Sequence, residues 1–161
     1  MARENSASGS GRAEDQRLRG ISRSLLIAVG GTGHRVLLDI RQRMIQKYGS
    51  TDHVPIVSYL LLDTDEAIFT SNPNFSEAAN LPSADKIHTS VHGVDQLRQN
   101  LHQYPHLRDW LDPRTLSGDI AQGAGAVRAR GRLAYFWNYE KISRRIEEKY
   151  TEITKDASKR S

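Results

Sequence analysis

The chain contains no cysteine, which excludes a disulfide framework and any metal site held by thiolates. It also has no run approaching ~18 consecutive apolar residues, so no membrane-spanning helix and no membrane partner are expected. Charge of one sign is not gathered into a block. The 23 Lys and Arg are interleaved with 19 Asp and Glu, for a formal net charge of +4, so most basic residues read as solvated faces. A nucleic-acid partner is therefore not expected, although the balance favours some anionic ligand. Large apolar residues are nearly absent from residues 1–20, which hold Ser, Gly, Arg, Glu and Asp. That stretch reads as a disordered polar tail and, lacking an apolar core segment, not as a secretory signal. A cytoplasmic location fits these absences.

What remains is enough for one domain. The chain has 161 residues of which 37% are hydrophobic, and a mean hydropathy of −0.61 assigns much of the rest to solvent. Residues 155–161 form a second polar tail, leaving 21–154 as the folded part.

Leu25 to Val29 is a continuous apolar run closed by Gly30-Gly31, as expected of a buried parallel strand. From Gly33 the period changes to that of a helix. Val36, Leu37, Ile40, Met44 and Tyr48 form its apolar stripe, with Arg35, Asp39, Arg41, Arg43 and Lys47 around it. Gly49 is placed to end this helix, and Ser50 to His53 reads as a loop. Val54 to Leu62 is the next apolar run, with Pro55 tolerated near its start. This is a β-α-β unit, hence an α/β fold with a parallel sheet and flanking helices.

Glu66 to Gln122 is less legible. Four prolines interrupt it, and it suggests short helices near 66–70, 93–103 and 106–111, with no strand. A stretch of this length is expected to be ordered against the sheet. After Gly123–Gly125, the residues Tyr135, Tyr139, Ile142, Ile146, Tyr150 and Ile153 keep to steps of three and four. They predict one long amphipathic helix with Arg144, Arg145, Glu147, Glu148 and Lys149 on its wet side.

Three segments carry chemistry. Gly30-Gly-Thr-Gly33 is a glycine turn opening a helix, where backbone N–H groups and the helix dipole favour phosphate. Asp63 and Asp65 close the second strand, at the carboxyl edge where α/β sheets bind ligands. The bland reading is a solvated strand end in which Thr64 or Asp65 caps residues 66–69. Gly123-Ala-Gly-Ala126 is a second glycine loop, followed by Arg128, Arg130 and Arg132. Cations are unfavourable at a helix N-terminus, so three there point to an anion. His88 and His92, like His102 and His106, stand four apart, but Gly93 and Pro105 interrupt the pairs and no metal site is expected.

Taken in order, these segments resemble the tubulin/FtsZ superfamily, and most closely the bacterial tubulin-like proteins, over roughly residues 24–150. Val29-Gly-Gly-Thr-Gly33 is similar to the FtsZ phosphate loop, and Asp63-Thr-Asp-Glu-Ala-Ile68 to its Asn-Thr-Asp segment. Gly123-Ala-Gly-Ala126, Gly131-Arg132 and Ala134 match the third loop at the same spacing. The resemblance implies a Rossmann-like domain binding GTP or GDP with Mg2+, and self-association of the parent protein. By this carry-over Gly30, Gly31, Thr32 and Gly33 contact phosphates. Gly123, Ala124, Gly125 and Ala126 line the terminal phosphate, with Arg128 and Arg132 near it, and Asp63 and Asp65 stand at the edge. His34 occupies the place of an Asn that approaches the base, which leaves guanine selectivity open. Ala28 replaces a loop glycine, and Val127-Arg128 replaces Asn-Pro.

Neither the Gly-Gly-Gly-Thr-Gly signature loop of the family nor its hydrolytic carboxylate loop is found in the sequence. The chain therefore reads as the amino-terminal part of a tubulin-like nucleotide-binding domain, expected to bind nucleotide weakly and not to hydrolyse it; the parent is a candidate GTPase. Two alternatives stay open. An NAD(P)-type Rossmann domain would use Asp63 on the ribose, but the glycine spacing differs from Gly-x-Gly-x-x-Gly. A non-catalytic scaffold with a degenerate site is the other.

Overall fold

The computed structural model describes residues 20–155. Except for Gly20 and Lys155, the two polar tails read from the sequence lie outside the described residues. The β-branched and leucine-rich runs form a parallel sheet of three strands in the order β1-β2-β3. The strands are β1 (Ser24–Val29), β2 (Val57–Asp63) and β3 (Lys86–His88). β1 pairs with β2 from Ser24↔Val57 to Val29↔Leu62, and β2 with β3 from Leu61↔Lys86 to Asp63↔His88. The second strand thus starts three residues later than its apolar run, because Thr51–His53 and Pro55 take up a turn first.

Helix α1 (Gly30–Tyr48) follows β1 without a linker and starts at the glycine turn itself. Gly49, at φ +86, ends it and donates its N–H to the Ile45 carbonyl at 2.7 Å. Leu37 and Leu38 pack on Ala28, Tyr59 and Leu61, together with Ile68 and Leu81. The buried stripe is Leu37, Leu38 and Arg41, while Val36 turns to solvent, so one arginine assigned to the wet side is in fact inside.

The opposite face of the sheet carries Leu60, Leu62 and Ile87, covered by Ile142 and Ile146. These belong to α5 (Tyr139–Lys155), which is separate from α4 (Arg128–Trp137). The single long helix expected from the sequence is therefore broken, at Asn138. Its side-chain amide donates to the carbonyls of Ser90 at 3.0 Å and Ala134 at 2.9 Å. The expected stripe is also revised: Tyr135, Tyr139 and Tyr150 are exposed, whereas Ile142, Lys149 and Ile153 are buried.

The stretch Glu66–Gln122 splits in two. Residues 66–85 make short turns that lie on the α1 face, contributing Ile68, Phe75 and Leu81 to its core. Residues 91–120, including α2 (Val94–Gln99) and α3 (Pro105–Arg108), build a core of their own. Val94, Leu97, Leu107, Leu116 and Ile120 close on Leu133 and Ala134 of α4 rather than on the sheet. Between the two halves runs β3, which the sequence did not announce because it is three residues long and has one aliphatic side chain. β1 departs from expectation as well. Among the described residues it pairs on one side only, and Ile27 and Val29 are 44% and 70% exposed.

Candidate functional site

The carboxyl ends of the strands and the two glycine loops meet around one cavity of about 210 Å3. Val29 and Gly30 supply the end of β1, Asp63 and Thr64 the end of β2, and Ala124 and Tyr135 the third loop and α4. Residues far apart in the sequence thus line one space, as expected where a parallel sheet presents its strand ends.

The first loop opens α1 without a side-chain cap. Val29 stands at its N-cap, and no acidic residue stands in the first turn of this 19-residue helix. The first N–H groups of a helix have no partner within it, and their dipoles add at this end. Gly30 has φ +73, a conformation that favours glycine. A Cβ added to Gly30 or Gly31 would meet no atom within 4 Å, so packing does not explain their lack of side chains. Gly33 differs: its Cβ would come to 3.4 Å from that of Ala28, so this glycine lets α1 lie close on β1. Thr32 is exposed in the same turn.

The second segment is tied to the third. Asp63 Oδ1 accepts the Asp65 N–H at 3.1 Å, and Asp65 Oδ1 accepts the Ala67 N–H at 3.0 Å, so Asp65 is the cap of Glu66–Phe69. Glu66 donates its N–H to the Ala121 carbonyl at 3.1 Å, and Gly123 to the Thr64 carbonyl at 3.0 Å. The His88 ring reaches both the Thr64 and Ala121 carbonyls through Nε2, at 3.2 and 3.0 Å. Thr89 clamps the end of β2, donating both N–H and Oγ1 to the Asp63 carbonyl at 2.7 and 2.9 Å. The sequence offered no signal for Thr89, because its role depends on the unannounced β3.

Within the third loop Gly123, Gly125 and Ala126 all have positive φ, of 95°, 61° and 60°. Ala126 is the only residue other than glycine with positive φ among the described residues, a strained conformation of the kind that concentrates at functional loops. Gly131 of α4 faces the Ala124 side chain, and a Cβ on this glycine would lie 3.9 Å from that of Ala124. The three arginines go to different places. Arg128 is exposed beside the loop. Arg130 donates to the Ser117 and Asp119 carbonyls, and the Arg132 guanidinium stacks 4.1 Å over the Trp110 ring. Both thereby anchor the 91–120 segment.

His34 lies one position beyond the glycine turn, and its Nε2 is buried with no hydrogen-bond partner among the described residues. Burial lowers its pKa below the ordinary 6.5, Lys86 lowers it further, and Asp63 opposes both. Lys86 itself is buried, which lowers its pKa from the usual lysine value.

The tubulin-like family model matches residues 25–161. The chain belongs to the tubulin-like family. No curated protein and no solved structure matched the sequence. The tubulin-like assignment accords with the three-stranded parallel sheet and its flanking helices, an α/β, Rossmann-like arrangement. Among the described residues no helix of this tubulin-like chain is long and apolar enough to cross a membrane. Nor, among them, do three or more His, Asp or Glu side chains converge as they would to hold a metal ion.

Proposed function

We propose that this chain is the guanine-nucleotide-binding module of a tubulin/FtsZ-like assembly protein, and that the nucleotide phosphates sit on the first turn of α1. The observation that carries this reading is the uncapped, acid-free start of α1 beside two glycines whose missing side chains leave open space. Gly30 to Gly33 would donate backbone N–H groups, and Ala124 to Ala126 would face the terminal phosphate. Arg128 would offset its charge, as cations do in phosphoryl transfer. Asp63 would stand at the cavity wall. When bound, Mg2+ would neutralise phosphate oxygens; the residues here supply it at most one or two carboxylates, with phosphate and water completing its shell. The module binds and orients the nucleotide, and assembly of the parent would follow from the bound state.

The test is a competition assay with a fluorescent GTP analogue on the full chain. GTP and GDP should displace it, and ATP and NAD should do so at least tenfold less well. Equal competition by ATP would remove the guanine claim. Absence of any nucleotide binding would favour a scaffold with a degenerate site.

A further inference from the structure

The cavity at the carboxyl ends of the strands has one aromatic residue in its lining. Tyr135 of α4 lines it together with Gly30, Ala124 and Gly131. It is 49% exposed, so a ligand in that space can touch it. Gly131 stands four residues earlier on the same face of α4, and the side chains of a helix lean toward its amino end. Tyr135 therefore leans over Gly131, toward the third loop. The glycine leaves it room, because a Cβ there would meet only the Ala124 methyl, at 3.9 Å. The Tyr139 ring meets the Tyr135 ring edge-on, with centroids 6.4 Å apart and planes at 72°, and braces it from the carboxyl side.

The rest of the lining is poor in side-chain donors. Val29, Leu62 and Ala124 offer carbon alone. The Thr89 hydroxyl is taken by the Asp63 carbonyl, at 2.9 Å. Thr64 has a short side chain, rooted at the end of β2. The Tyr135 hydroxyl donates to no group among the described residues, and it stands at the end of a long, rigid side chain. A phenol of this kind makes a strong, charge-assisted hydrogen bond to an anionic oxygen.

We infer that Tyr135 distinguishes a nucleoside triphosphate from a diphosphate, its hydroxyl donating to an oxygen of the terminal phosphate. The inference rests on the function proposed above, in which the phosphates lie on the first turn of α1 and the third loop faces the last of them. Tyr135 is carried by the helix that the third loop opens, so its donor serves the terminal phosphate. A diphosphate, held by the α1 turn, ends short of it.

The experiment is a calorimetric titration of the full chain with GTP and with GDP, for the wild type and for Tyr135→Phe. Phenylalanine keeps the ring and its contact with Tyr139 at a half-exposed position, so the thermal unfolding midpoint should not move. The expected result is a GTP affinity about tenfold lower in Tyr135→Phe, the usual size of a hydrogen bond to a charged group, with GDP affinity unchanged. A residue that only shaped the cavity would move both nucleotides together. Equal losses for GTP and GDP would therefore overturn the inference, and so would unaltered affinity for both. A wild-type chain that binds neither nucleotide would overturn the proposed function itself, and this inference with it.

Discussion

Single residues separate packing from ligand binding at the glycine turn. Gly31 has open space where a side chain would go, and it lies in the first turn of α1. Gly31→Asp should therefore keep the fold, and raise stability by about 0.3–1 kcal/mol through the helix dipole. It should also reduce nucleotide affinity at least tenfold, because like charges about 4 Å apart near a surface repel by roughly 4 kcal/mol before screening. Thermal unfolding and the GTP-analogue titration read the two effects separately; unchanged affinity would remove the phosphates from this turn. His34 gives a pH signature. Its folded-state pKa is depressed, so the unfolded chain takes up the proton first. The stability it supports is complete above pH about 6.5 and is lost as pH falls below that value. The urea midpoint of His34→Gln should decline less between pH 7.5 and 5 than that of the wild type. Parallel declines would place the titration elsewhere.

Elements are held together here by charges that helical periodicity assigned to solvent. Arg41 and Lys149 both fell on the wet side of their helices in the sequence. Arg41 instead fastens the 78–80 carbonyls to α1, and Lys149 reaches Asp85 from α5. Their partners are far away in sequence, and a pattern of spacing contains no information about them. Burial works against the Lys149 charge, but hydrogen bonds from it to Asp85 and Glu152 outweigh that and raise its pKa. The contribution is therefore present at neutral pH and lost only as pH rises through the elevated value. Lys149→Met should cost about 3–5 kcal/mol, since it strands a buried carboxylate. The double variant with Asp85→Asn should recover much of this in urea denaturation. If the double variant is no better than the single, the cost is packing and not charge.

For the whole molecule, the sheet's stability is concentrated in β2. Leu60 and Leu61 are fully buried between α1 and α5, whereas Val29 at the open edge is 70% exposed. Leu60→Ala should destabilise by about 2–5 kcal/mol, and Val29→Thr by less than about 0.5 kcal/mol. Chemical denaturation of both variants checks the contrast; similar losses would mean that β1 is covered in solution. The 91–120 segment has its own core against α4, and the paired hydrogen bonds between Val91 and Ile120 close it on itself.

Much of the architecture was legible in residue order: the β1-α1-β2 unit, the glycine at the end of α1, and three motifs whose spacing resembled a tubulin-like domain. These depend on local properties, namely apolar runs, periodicity and the backbone freedom of glycine. Tertiary structure decided what involves distant partners. It created β3 from three residues by pairing them with β2, and broke one helix at Asn138 to reach the Ser90 carbonyl. It drew Arg130 and Arg132 away to other segments, and buried Arg41, Lys149 and Tyr59. A local pattern records which side chains want to be buried; only the assembled chain determines which charges find partners that let them be.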